Sequence, residues 1–173
     1  MPDDHPESVI HGWKSSPPVL NHGAPDEFFE ASRREASHLY ALRYDGICHL
    51  CSGPVSRGLH LCDAHDTQAG EICSACDRRF EVGSRFVCSV CKDASICDLI
   101  KAVLVPRHRP IDEFLIEHGI VPEFPYLTEI PGLDTDQWVE STDPIRVRMT
   151  LTIGNEQLDL LIDERVNVVE ATG

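Results

Sequence analysis

Four pairs of soft metal ligands, each at i and i+3, lie within 44 residues of this chain: Cys48/Cys51, Cys62/His65, Cys73/Cys76 and Cys88/Cys91. A C-x2-C pair in a tight turn can present both thiolates to one ion, and two such pairs complete a tetrahedron. One pair is a weak signal, but four with near-equal loops are a strong one. Moving the first half by 25 places Cys48 on Cys73 and Cys51 on Cys76, and moving it by 26 places Cys62 on Cys88 and His65 on Cys91. The segment therefore reads as an internal repeat with one inserted residue, and His65 occupies the place of a ligand.

Metal ligation is favoured over disulfides. The N-terminus, MPDDHPESVIHGW, has no basic stretch leading into an apolar one, so it does not read as a secretory signal. Without export, a set of eight cysteines points to metal. The expected ligands are Cys48, Cys51, Cys62, His65, Cys73, Cys76, Cys88 and Cys91, holding two structural Zn2+ ions. The imidazole argues for zinc over iron, although an all-thiolate set also suits iron. Gly53 fits a knuckle turn after Cys51, whereas Asp77-Arg78 after Cys76 supplies no such glycine, so another residue must take the strained position there.

The pairing order has two candidate forms. Sequential pairing joins Cys48/Cys51 with Cys62/His65, and Cys73/Cys76 with Cys88/Cys91. Cross-bracing joins the first pair with the third and the second with the fourth. The repeat makes each unit self-contained and seven residues separate His65 from Cys73, so sequential pairing is favoured. Either way a filled shell leaves no open position for water, and no catalytic residue is assigned. His49 and Asp63 lie inside ligand pairs and are expected to point outward. Cys97 reads as a small buried hydrophobe in a helix, and His60 as a non-ligand off the repeat spacing. His5, His11 and His22 read as solvated.

The rest of the chain divides by periodicity. Residues 1–24 read as a disordered or loose arm, and 25–46 as a helix opened by Pro25, Asp26 and Glu27 and stopped by Asp45-Gly46. Its apolar face carries Phe28, Ala31, Leu39, Tyr40 and Leu42. Residues 47–92 hold the tandem zinc-binding units, and 93–173 hold helices plus a β-meander. Short helices are expected over 95–105 and 110–118 and a surface loop over 121–136. From Pro144 the period changes to two: Ile145, Val147, Met149, Leu151 and Ile153, then Leu158, Leu160 and Ile162, then Val166 and Val168. That pattern predicts a three-stranded antiparallel meander with one apolar face, which the two helices are available to cover. The fold class is α+β: tandem zinc ribbon/knuckle units followed by short helices and the meander.

Charge narrows the partners. The net charge is −14, and the basic residues are 12 Arg against only 3 Lys. Such an excess repels phosphate at ordinary salt, and it suits a chain living in concentrated salt, where the Debye length falls to about 3 Å. Arg78, Arg79 and Arg85, Arg107-His108-Arg109 and Arg146/Arg148 could each meet phosphate, but surface ion pairs are the plainer reading. No apolar run approaches the roughly 20 residues of a membrane span. No phosphate loop, nucleophile elbow or dinucleotide fingerprint is present.

The stretches YDGICHLCSGPV, LCDAH, CSACDRRFEVGSRFVCSVCK, HRPIDEFLIEHGI and STDPIRVRMTLTIGNEQLDLLIDERVNVVEAT resemble the C-terminal region of ArsR-like winged-helix transcriptional regulators of halophilic archaea. The likeness covers about 44–172. It implies a zinc-binding region that follows a DNA-binding winged helix, and the winged helix itself is not evident in residues 1–43. The expectation is a cytoplasmic, zinc-binding, non-enzymatic regulatory or interaction protein with a protein partner. The alternative is a zinc-ribbon protein acting directly on DNA or RNA through Arg78, Arg79 and Arg85. A thiol or metal enzyme working through Cys97 ranks last.

Overall fold

The structure, a computed structural model, describes residues 23–66, 71–121, 130 and 132–173. The arm expected over 1–24, with His5, His11 and His22, lies outside the described residues except for positions 23 and 24. The element order is α1 (Pro25–Tyr44), β1 (Val55–Leu61), β2 (Val82–Cys88), β3 (Ala94–Asp98), α2 (Leu99–Leu104), α3 (Arg109–Glu117), β4 (Leu133–Thr142), β5 (Ile145–Ile153), β6 (Glu156–Ile162) and β7 (Val168–Thr172). Strands β1-β2-β3 form one antiparallel sheet and β4-β5-β6-β7 another. The fold is α+β, as expected. Among the described residues no helix is long and apolar enough to cross a membrane.

Helix α1 begins at Pro25, with Asp26 and Glu27 in the first turn and Arg43 in the last. These charges complement the helix dipole. Gly46 follows at φ +81°, a left-handed position that glycine takes without cost. Tyr40 and Tyr44 pack against the core. Leu42, assigned to the apolar face, is 38 % exposed.

Residues 95–98, expected to begin a helix, form β3 instead. Ser, Ile, Cys and Asp have only middling helix propensity, and the free edge of β2 offers them a full ladder, Gly83 to Asp98 through Val87 to Ala94. The helix starts one residue later, where the Asp98 carboxylate accepts from the Ile100 N–H at 3.2 Å. Cys97 is therefore a strand residue, 2 % exposed, in hydrogen-bonding contact with Ser84 Oγ at 2.9 Å. Burial pushes its thiol up to about 11.

The meander has four strands, not three. Strand β4 runs from Leu133 to Thr142 and pairs with β5, so the loop expected over 121–136 ends earlier; 122–129 and 131 lie outside the described residues. As an edge strand carrying Asp134, Asp136 and Glu140, β4 has little hydrophobic signal, and a bulge between Val139 and Ser141 interrupts its alternation. The apolar face is as expected: Val147, Met149 and Leu151 on β5 and Leu158, Leu160 and Ile162 on β6 are all buried.

Both helices cover that face. Leu99, Val103 and Leu104 of α2 and Ile111, Phe114 and Leu115 of α3 join it, together with Val82 and Phe86 of β2, in one cluster. Each large side chain so buried contributes about 1.5–3 kcal/mol. Polar contacts lock the two sheets further. Arg57 on β1 stacks over the Tyr44 ring at 3.9 Å, donates to the Tyr44 carbonyl at 2.7 Å and to Asn167 Oδ1 at 2.6 Å. The Tyr44 hydroxyl donates to the Val166 carbonyl at 3.0 Å. Val166 itself sits at φ +62°, a strained position for a β-branched residue, and Asp163 braces the turn by accepting from the Arg165 and Asn167 N–H groups at 2.9 and 2.8 Å.

Candidate metal centres

Strand β1 leaves the first knuckle and β2 runs into the fourth. Because they pair antiparallel, Val55 opposite Cys88 and Leu61 opposite Val82, the first and fourth half-sites meet at one end of the ribbon. The second and third meet at the other. The two donor sets are Cys48, Cys51, Cys88, Cys91 and Cys62, His65, Cys73, Cys76, each with its ligand atoms within 4.8 Å of one another. The pairing is nested, neither sequential nor cross-braced. The expectation of sequential sets, Cys48/Cys51 with Cys62/His65 and Cys73/Cys76 with Cys88/Cys91, is overturned by the direction of the strands between them. At about 3.4 Å per residue, a seven-residue strand holds the two centres roughly 20 Å apart. All eight expected residues fall in these two sets, and His65 is among them.

The donor geometry fits a tetrahedral ion. In the first set Cys48 Sγ lies 3.6 Å from Cys91 Sγ, and Cys51 Sγ lies 3.6 Å from Cys88 Sγ. A tetrahedron with metal–sulfur bonds of roughly 2.3 Å has edges of about 3.8 Å. In the second set Cys76 Sγ stands 3.7 Å from His65 Nδ1, close to the roughly 3.6 Å of a sulfur–nitrogen edge. Either set could hold a metal ion.

Three half-sites share one local fold. The N–H of Cys48 donates to the Gly53 carbonyl at 2.9 Å, that of Cys73 to Arg78 at 2.8 Å and that of Cys88 to Asp93 at 2.8 Å. Each turn then needs a left-handed residue just after its second cysteine: Ser52 at φ +56°, Asp77 at +58° and Lys92 at +64°. The position expected to carry Gly53's conformational freedom thus belongs to Ser52. Gly53 is needed for space, because a Cβ there would stand 2.8 Å from Val90 Cγ2 and 3.2 Å from Cys51 Sγ. The N–H groups of Ala75 and Val90 point at Cys73 and Cys88 Sγ, both at 3.4 Å. The Cys62/His65 half-site lacks this turn. It is tied instead by the Cys62 N–H donating to the Glu81 carbonyl at 2.9 Å, and by Ser74 Oγ donating to Asp66 at 2.7 Å.

The thiols differ in ionisation. Desolvation opposes ionising Cys88, but the N–H groups of Cys91 and Val90 and the neighbouring thiols outweigh it and bring it down to about 6. The Asp93 N–H favours ionised Cys91, but desolvation and the thiols of Cys51, Cys48 and Cys88 raise it to about 12. In the second set desolvation is likewise overcome at Cys76, brought down to about 7 mainly by His65 and Cys62. Cys62 is raised by desolvation and by Cys76 and Cys73. Negative charge is thus invited at one sulfur and resisted at its neighbour, and a cation among the donors removes that conflict.

Several side chains flank these sets. His49 does not point outward as expected: its Nδ1 is buried without a hydrogen-bond partner among the described residues, and it clusters with Cys48 and Asp93. Burial, followed by Arg43, lowers its pKa. Asp93 is held by Arg43 at 2.8 Å, and Arg43 also donates to Ser95 Oγ at 2.8 Å, so α1 is clamped to the fourth knuckle. Asp63 is exposed. His60 and Cys97 belong to neither donor set. Arg107 pairs with Asp112, Arg109 with Glu113 and Arg148 with Glu140, at 2.9, 2.7 and 3.1 Å. The sequence alone did not single out Arg43, whose one signal was its place in the last turn of α1.

No curated protein and no solved structure matches the chain. A family model described as a domain of unknown function (DUF7351) matches residues 4–168. A protein with two nested four-donor centres on one β-ribbon, matched over nearly all its length, belongs to that DUF7351 family.

Proposed function

We propose that the protein binds two structural zinc ions and works as a non-enzymatic regulatory or interaction module in the cytoplasm. The observation that carries this is the closure of both donor sets: four ligands each at tetrahedral spacing, which would leave a bound ion no open position for a substrate-activating water. Zinc is favoured over iron because one set includes an imidazole, a donor that suits a borderline ion. The deep burial of Cys97, and its raised pKa, support a packing role over a nucleophilic one. The resemblance to regulators of halophilic archaea, with the acid-rich charge, supports a role in transcription regulation through a protein partner.

The test is elemental analysis of natively purified protein. About two zinc per chain are expected from the ligand count, and fewer than one per chain would overturn the reading. Affinity capture at native salt tests the partner, with one stoichiometric protein expected.

A further inference from the structure

Arg85 lies at the middle of β2 on the face of the three-stranded sheet turned away from the core, with Gly58 opposite it on β1 and Ile96 opposite it on β3. The third knuckle rises beside this face and brings Arg78 to it. Together with His60, Cys76 and Ile96 the two arginines line a groove of about 830 Å³. That volume is within the range of small-molecule sites, about 300–1,000 Å³.

The two arginines differ from four others of the chain. Arg43, Arg107, Arg109 and Arg148 each hold a carboxylate. Among the described residues neither Arg78 nor Arg85 forms an ion pair, in a chain of net charge −14. Asp77 also lines the groove without pairing to either. Two arginines that line one groove, neither of them in an ion pair, can take an anion from outside, and the guanidinium fork suits phosphate.

We propose that this groove binds a nucleoside phosphate, its phosphate held by Arg78 and Arg85 and its ring laid along Ile96 and the imidazole of His60. A single nucleotide is favoured over a strand because each further phosphate would meet the negative field of the whole protein. The groove borders the second donor set, whose Cys62 and Cys76 form part of its wall, and it does not depend on the regulatory reading.

The experiment is calorimetric titration of the full chain, with metal content measured on the same sample. The probes are AMP, ADP, adenosine, inorganic phosphate and a single-stranded 20-mer. AMP or ADP should bind, adenosine should not, and inorganic phosphate should bind at least tenfold more weakly. Arg85→Gln should weaken AMP binding at least tenfold with metal content and thermal melting unchanged. As a readout that needs no variant, AMP should shift the NMR signals of the Ile96 methyl groups and the His60 ring. Four results would each overturn the proposal: no binding of AMP or ADP, equal binding by Arg85→Gln, inorganic phosphate binding as tightly as AMP, or tight 20-mer binding with a steep salt slope, which would mark a strand site.

Discussion

Cys48 Sγ stands 3.6 Å from Cys91 Sγ, although 43 positions separate them in the chain. The contact exists because β1 and β2 run antiparallel between the two knuckles, so the outermost half-sites are drawn to one end of the ribbon.

That nesting is open to direct chemical test. With zinc bound, Cys91→Ser should lower the metal content from about two per chain to about one. Alkylation mapped by mass spectrometry should then label Cys48, Cys51 and Cys88, while Cys73 and Cys76 stay protected. Sequential pairing would instead expose Cys73, Cys76 and Cys88.

His65 is the sole imidazole in the two sets. His65→Cys should keep two ions per chain, and His65→Ala should lose or loosen one. Hydrogen exchange should then quicken at 62–66 and 71–78 before it does at 48–54, because the second centre closes only the far end of the ribbon. Unchanged metal content in His65→Ala would remove His65 from the ligand list.

Gly53 and Val90 form a steric pair across the first centre. A Cβ at position 53 would approach Val90 Cγ2 to 2.8 Å, so Gly53→Ala should cost about 1–3 kcal/mol, the usual cost of overpacking. Val90 is exposed, 62 %, and trimming it is cheap by itself. Val90→Ala should therefore recover part of the loss, since Val90 Cβ at 3.0 Å and Cys51 Sγ at 3.2 Å still crowd the site, and the gain should appear as a coupling term in a double-mutant cycle by denaturant unfolding.

Leu115 on α3 is fully buried in the cluster that includes the β5–β6 face. Leu115→Ala should cost about 2–5 kcal/mol through lost burial and a cavity. Near-UV circular dichroism and urea midpoints would record it. A loss below about 0.5 kcal/mol would mean that α3 does not seal the meander.

At Asp163 desolvation raises the pKa, but hydrogen bonds from Asn167 and the Arg165 N–H outweigh it and hold the carboxyl below its ordinary value. A depressed folded-state value stabilises the protein above the unfolded pKa of about 3.9, and that stability is lost as pH falls through the folded value. Asp163→Ala should therefore destabilise the turn fully at neutral pH, and the gap to the wild type should close below about pH 4. A gap independent of pH would show that the carboxylate charge contributes nothing.

Legibility in the sequence followed the range of the interaction. Helix α1 was readable because Pro25, Asp26, Glu27 and Gly46 are local signals. The β5–β6 alternation was readable because its apolar face is wholly buried. Strand β4 was not, since a polar edge strand takes its shape from a neighbour's hydrogen bonds, and β3 was not, since β2's free edge overrides a weak helical preference. His49 was misjudged because its neighbour Asp93 comes from another knuckle.

The chain's own spacing determined which eight side chains are candidate metal donors and that they come in four short half-sites, because i and i+3 geometry is settled within a few residues. Only the tertiary structure decided which half-sites come together in one donor set, and that an arginine-lined groove forms beside the second one. Both depend on strand direction and sheet register, which are chosen by the burial of Val82, Phe86 and Cys97 against the helices and the meander, and no local spacing encodes that choice.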